Sequence, residues 1–138
     1  MIAQRLTIAH FALAWIAALI TLGVMDGVWL GLLAKGLYKR EIGAVMADAV
    51  RILPAATFYA FYPVGIVFFG VQPAASLAEA LLRSAAIGLL AYGTYDLSNL
   101  ATLRGWSASL SLIDMAWGTF ASAVAGAAAY GAVISRAT

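Results

Sequence analysis

The 138-residue chain has no cysteine and a single histidine, His10. The first absence excludes disulfides, thiolate nucleophiles, iron-sulfur clusters and zinc-thiolate sites. The second excludes metal centres built from several imidazoles. Charge is scarce as well: Asp, Glu, Lys and Arg make up 10% of the residues, against about a quarter in a soluble domain. The eight basic and six acidic residues leave a net charge of +2. The basic ones are scattered among the ends of apolar runs, where membrane topology accounts for them, so no nucleic-acid partner is expected.

What is there is apolar. Hydrophobic residues make up 64% of the chain and the mean hydropathy is +0.96. Four apolar stretches have the roughly 20 residues that a helix needs to cross a hydrocarbon layer of about 30 Å. They predict an all-α integral membrane protein, with four transmembrane helices in one compact bundle and 1–138 as a single domain. The spans read as about 6–34, 54–71, 77–103 and 112–134. The first run far exceeds the roughly 7–15 residues of a signal-peptide core and is expected to remain as a helix. Pro54 suits the first turn of the second span, and Pro63 is expected to kink it. Ser76-Leu77-Ala78-Glu79 reads as a capping box that opens the third span, and Ser111-Leu112-Ile113-Asp114 as a second box that opens the fourth. Together the spans leave no stretch for a soluble catalytic or nucleic-acid-binding domain.

Lys35, Lys39, Arg40, Arg51 and Arg104 fall on one side of a four-span arrangement, and Arg5, Arg83 and Arg136 on the other. The positive-inside rule then makes the two basic loops cytoplasmic and both termini periplasmic, in an inner membrane. Between the first two spans, Tyr38, Ile42, Val45, Met46 and Val50 can line one face of a short surface helix. Trp15, Trp29, Trp106, Trp117, Tyr38 and Tyr130 read as interface anchors, although Trp29 and Trp117 each follow an aspartate by three residues and can line its pocket.

Three of the acids, Asp26, Asp96 and Asp114, fall within or at the edge of spans, where an aspartate costs about 2.5–3.5 kcal/mol at the helix centre. At 1.5 Å per residue Asp26 lies about 13 Å from Lys35 and Asp96 about 12 Å from Arg104. Asp114 starts from the same side, so all three carboxylates fall in one leaflet. Asp26 borders a Gly23, Gly27, Gly31 stripe that invites close approach of another helix. Asp96 continues the row Ser84, Gly88, Tyr92, and Asp114 begins the row Gly118, Ser122, Gly126. The acids therefore point inward. Asn99, Tyr59 and Tyr62 can supply hydrogen bonds from the same side. The candidate ligand-binding residues are thus Asp26, Trp29, Tyr59, Tyr62, Tyr92, Asp96, Asn99, Asp114 and Trp117. Helix packing is assigned to Gly23, Gly27, Gly31, Gly118, Ser122 and Gly126. The motif Gly23-Val24-Met25-Asp26, with Leu30 and Leu33, aligns at an offset of 70 with Gly93-Thr94-Tyr95-Asp96, with Leu100 and Leu103. A parallel two-hairpin repeat is one reading of it, and coincidence in a Gly- and Leu-rich composition is the other.

Met25-Asp26-Gly27-Val28-Trp29-Leu30-Gly31, the run from Thr94 to Trp106, and Asp114-Met115-Ala116-Trp117-Gly118-Thr119 carry a resemblance. The chain resembles, over nearly its full length, a bacterial family of small predicted membrane proteins known as domain of unknown function 2177. The resemblance implies four helices in a bacterial inner membrane and no established reaction. Three functions stand open on the residues. The first is a transporter, channel or ligand-binding membrane protein for a cation or small polar solute. The second is an assembly subunit or homo-oligomer whose glycine face meets a partner within the bilayer. The third is a lipid-modifying enzyme, for which a few aspartates without a nearby histidine make a thin catalytic set. No cofactor is implied, no catalytic residue is assigned and the metal question stays open.

Overall fold

Long apolar segments in a bilayer satisfy their backbone polar groups within the helix, and here they form helices throughout. The computed structural model describes residues 5–134, so Arg136 of the charge comparison lies outside the described residues. Helix α1 (Ile8–Val28) opens at Thr7, whose Oγ1 accepts from the His10 amide at 3.1 Å, and runs on as a π-helical segment, Trp29–Leu33. Next comes α2 (Leu37–Ile42), prolonged only by a 3-10 turn at Gly43–Val45; Val45, Met46 and Val50 are exposed. The expected surface helix is therefore one turn and a half, and keeps Tyr38 and Ile42 from its apolar face. Helix α3 (Ile52–Gly65) contains the buried Pro63 and also ends in a π-helical segment, Ile66–Val71. It is followed by α4 (Leu77–Thr102) and α5 (Ala108–Ile134).

Ser76 caps α4 as expected: its Oγ accepts from the Glu79 amide at 3.1 Å, while the Glu79 carboxylate reaches back to the Ala75 amide at 2.9 Å. The second box does not form. Helix α5 starts earlier, with Ser107 Oγ accepting from the Leu110 amide, and Ser111 lies inside the helix donating to the Ser107 carbonyl. Asp114 is consequently well inside α5 and has no part in its cap. Between α4 and α5 the chain reverses at Gly105, whose φ of +75° is a conformation that side chains with a Cβ rarely adopt.

By length and composition three helical stretches can cross a membrane: Ile8–Leu33, Ile52–Val71 and Ala108–Ile134. Helix α4 is as long, with 26 residues, but Glu79, Arg83, Ser84, Asp96 and Asn99 dilute its apolar content below theirs. The helices are not equal in packing. Helix α5 lies against α4, α1, α2 and the π segment of α3, whereas α1 and α4 do not pack on each other.

Two rows of small residues on α5 explain this central place. Ala121, Ala125, Ala129 and Val133 meet Ala14, Ala18 and Leu22 of α1 and Ile66, Val67 and Val71 of α3. On the other row, Gly118, Ser122 and Gly126 meet Ser84, Gly88 and Tyr92 of α4 so closely that a Cβ at Gly118 would strike the Tyr92 ring and one at Gly126 the Ser84 side chain. The glycine stripe of α1 behaves otherwise. Gly23, Gly27 and Gly31 are exposed, and an added Cβ at any of them would meet nothing within 4 Å. The packing expected of them falls instead to the neighbouring row Ala14, Ala18, Leu22 and Asp26, about 100° around the helix, whose small side chains fit against α5.

Leucine at position 126 should therefore overpack the α4–α5 seam and lower stability by about 1–3 kcal/mol or more, while leucine at position 27 should leave it unchanged. Thermal unfolding of Gly126→Leu and Gly27→Leu in detergent measures the difference, and equal losses would contradict the outward orientation of the stripe.

Candidate functional site

Three helices bring their acids to one end of the bundle, where α1 and α4 finish and α5 begins. Asp26 is the last buried residue of the Ala14, Ala18, Leu22 row, Asp96 ends the Ser84, Gly88, Tyr92 row, and Asp114 lies one turn before Gly118. Their residual exposures are 7%, 0% and 8%. All three line one cavity of about 230 Å³, whose walls also include Trp29, Tyr59, Tyr92, Tyr95, Trp117 and Phe58, with Tyr38, Ile42 and Trp106 at its α2 and loop side. None of the three is in an ion pair with Lys or Arg among the described residues; the pairs present are Arg40 with Glu41 and Arg83 with Glu79.

The acids differ in how they are satisfied. Asp26 accepts from Trp117 Nε1 at 3.0 Å on one oxygen and from the Tyr59 hydroxyl, in a short contact, on the other. Asp114 accepts from the Tyr38 hydroxyl at 2.8 Å, and that hydroxyl in turn accepts from Trp29 Nε1 at 2.9 Å. Asp96 is the exception. Both of its carboxyl oxygens are buried and accept from no N-H or hydroxyl donor; the side chain meets that of Asp114, carboxyl to carboxyl. Two buried carboxyls that face each other cannot both stay ionised without help, so the Asp96–Asp114 pair calls for a shared proton or a positive charge from the cavity.

The π-helical turn at the end of α1 positions the first tryptophan. A π turn widens the helix and re-aims a side chain, and such turns cluster at functional sites. Here Trp29 stacks on Trp117 with ring centroids 4.5 Å apart and an interplanar angle of 7°. Across the cavity, Trp106 meets Tyr95 edge to face at 5.7 Å and donates its indole N-H to Ser111 at 3.0 Å. Carboxylates framed by aromatic faces form a surface of negative potential, since the ring quadrupole adds to the charge.

Helix α2 closes this end. Besides Tyr38, its Glu41 accepts from Ser107 Oγ at 2.7 Å and from Ser109 Oγ at 3.4 Å, tying α2 to the start of α5. The hydrogen bond from Ser107 holds the Glu41 carboxyl below its ordinary range against an opposing desolvation, with Ser109 and the Arg40 guanidinium adding to it. Burial holds the Tyr38 phenol above its usual range; donation from Trp29 works against this, and the Asp114 acceptor adds to it. Tyr38 is therefore a neutral donor to Asp114 at neutral pH.

Of the nine residues that the sequence singles out, the cavity gathers Asp26, Trp29, Tyr59, Tyr92, Asp96, Asp114 and Trp117. Tyr62 is elsewhere, hydrogen-bonded to Ser122 Oγ at 2.6 Å in the α3–α5 contact, and Asn99 lies half-buried on α4 outside the cavity lining. Tyr38 and Trp106, read from the sequence as interface anchors, are wall residues. Their signal was available in part: each sits in a polar connection beside an acid-bearing span, but only the chain reversal at Gly105 and the fold-back of α2 turn them inward. No group of three His, Cys, Asp or Glu side chains is arranged to hold a metal ion among the described residues.

Residues 11–131 match the family described as Predicted membrane protein (DUF2177). Neither a curated protein nor a solved structure matches the chain.

Removing the Tyr38 hydroxyl strands both the Trp29 N-H and an Asp114 oxygen, so Tyr38→Phe should lose about 1–3 kcal/mol in equilibrium unfolding. The Glu41 tether has its own pH dependence. A carboxyl whose folded pKa is depressed stabilises above its unfolded value of about 4.3, and that contribution is lost as pH falls through the folded value. Amide exchange over residues 37–45 should therefore be several-fold faster in Glu41→Gln than in the wild type at pH 7, and the difference should shrink as pH falls below about 4.3. Equal rates at pH 7 would show that Glu41 does not hold α2.

Proposed function

The chain belongs to the family described as Predicted membrane protein (DUF2177); within it, and from the geometry of the site alone, we propose that this chain is a cation-binding membrane protein of the transporter or channel class. The observation that carries the reading is Asp96, a carboxyl with no residual exposure and no N-H or hydroxyl donor, which faces the Asp114 carboxyl in a cavity whose remaining polar wall is Asp26 and hydroxyl or indole groups. Ionisable groups inside a membrane are expensive, and those that face a cavity mark ion or substrate paths. Among the described residues no Lys or Arg side chain is paired with Asp96. A cation from outside meets that demand, and a neutral polar solute meets it less well.

The same reading uses α4 as a fourth crossing. Its 26 residues rise about 39 Å, and its polar residues Ser84 and Asp96 are buried against α5 rather than turned to lipid. With four crossings, the cavity sits in one leaflet under the basic connections that carry Lys35, Lys39, Arg40 and Arg104. The excess of basic residues there favours a cytoplasmic placement of that end, with both termini outside, in a bacterial inner membrane.

The roles of Asp26 and Asp96 can be separated by stability and binding together. Asp96→Asn removes an unsatisfied acid, so it should leave unfolding equal to or better than wild type while abolishing binding. Asp26→Asn breaks hydrogen bonds to Tyr59 and Trp117 and should destabilise by about 1–3 kcal/mol. Binding is read from tryptophan fluorescence in nanodiscs, because Trp29 and Trp117 line the cavity, on addition of sodium, potassium or tetramethylammonium chloride. A saturable change in wild type that Asp96→Asn loses supports the reading; no change with any of the three, or an unchanged response in Asp96→Asn, overturns it.

A further inference from the structure

The exposed glycines of α1 do more than leave a face unpacked. Gly23, Gly27 and Gly31 floor a groove whose other walls are Asp26, Leu30 and Tyr59. Asp26, Leu30 and Tyr59 are also walls of the acid cavity. The groove and the cavity are therefore two sides of the same three side chains, one opening along the outer surface of α1 and the other reaching Asp96. Three glycines at four-residue spacing weaken a helix, and nothing in the chain approaches them. Their combined effect is a shallow groove on the outer face of α1, beside the acid-lined chamber.

The chamber favours a particular kind of cation. Its acids are not arranged to hold a metal ion, and most of its wall is aromatic, including the stacked Trp29 and Trp117 and the Tyr95–Trp106 pair. Aromatic faces with a carboxylate recognise alkylated ammonium groups, which need few hydrogen-bond acceptors and lose little hydration on entry. Building on the function proposed above, we infer that the ligand is a cationic amphiphile that enters from the bilayer, its ammonium head in the chamber with Asp96 and its alkyl chain along the glycine groove. Continuity and charge select this occupant over a second helix. A helix seated on the stripe would cover the walls shared with the cavity without offering anything to Asp96, whereas a single alkyl chain fits a floor of glycines and leads its charged end inward.

The test compares decyltrimethylammonium, tetramethylammonium and the uncharged decyl maltoside, at submicellar concentrations, on the full chain in phosphatidylcholine nanodiscs. Binding is followed by tryptophan fluorescence in wild type, Asp96→Asn and Gly27→Leu. Each ligand is judged by the ratio of wild type to variant, so that its partitioning into the bilayer cancels. Gly27→Leu fills the groove at a position where no neighbour is displaced, and should weaken decyltrimethylammonium at least tenfold while changing tetramethylammonium less than twofold. Asp96→Asn should weaken both at least tenfold. Decyl maltoside should compete with neither.

A Gly27→Leu variant that binds decyltrimethylammonium as wild type does would overturn the groove assignment while leaving the cation-binding function intact. Competition by decyl maltoside would overturn it as well, because the groove would then hold alkyl chains without reading their charge. Loss of a dimer in Gly27→Leu, with alkylammonium binding unchanged, would assign the stripe to a second copy of the chain. Failure of both ammonium ions to bind, with sodium or potassium still bound, would reject the amphiphile and keep the site.

Discussion

The close approach of α4 and α5 is the constraint on which the rest of the structure depends. In a bilayer the hydrophobic effect does not drive helices together, because lipid tails are as apolar as leucine; association relies on dense van der Waals contact. Gly88, Gly118 and Gly126 supply it by having no side chain. Gly118 leaves room for the Tyr92 ring on the α5 backbone, and Gly126 leaves room for Ser84. With that seam fixed, Asp96 and Asp114 face the same space one turn beyond it, and α1 needs only to lay its Ala14, Ala18, Leu22 row on the opposite side of α5 to bring Asp26 to join them.

The sequence made the inward direction of the acids legible because polar rows are conspicuous in an apolar chain. Ser84, Gly88, Tyr92, Asp96 and Asp114, Gly118, Ser122, Gly126 are readable as faces before any contact is known, and both do face the interior. The glycine stripe misled for a related reason. On α1 two adjacent rows are both small, one of alanines and one of glycines, and periodicity cannot say which meets a neighbour. That is settled by the surface of α5, whose own alanine row matches the alanines. The start of α5 was obscured in the same way: Ser107 and Ser111 are both able to cap, and the earlier serine wins because the helix gains a turn. Tyr38 and Trp106 lie in connections, where side-chain direction follows from how the chain folds back rather than from any repeat.

Three aspartates at one end of the bundle are in three different electrostatic situations. Asp26 has donors on both oxygens, so its charge is spread into an indole and a phenol, and its role is in large part to hold α1, α3 and α5 together. Asp114 reaches the surface helix through Tyr38, so it links the chamber to α2. Asp96 has no N-H or hydroxyl donor and meets only the Asp114 carboxyl. A chain that satisfies two buried acids with care and leaves the third open has separated structure from reactivity among residues of one type. The arrangement also keeps arginine and lysine out of the interior, since an internal cation there would occupy the position that Asp96 leaves free.

The central place of α5 carries a consequence for how the molecule is made. A ribosome delivers the chain from its amino end, so α1, α3 and α4 are made before the helix that separates and joins them. Until then α1 and α4 have no contact with each other, and Asp26 lacks Trp117, one of its two donors. A nascent chain stalled before residue 108 would therefore leave Asp26, Asp96 and the small-residue faces of α1 and α4 without the surface they pack on. Maturation is complete only when the last helix docks, and the order of translation makes the cavity the final part of the molecule to exist.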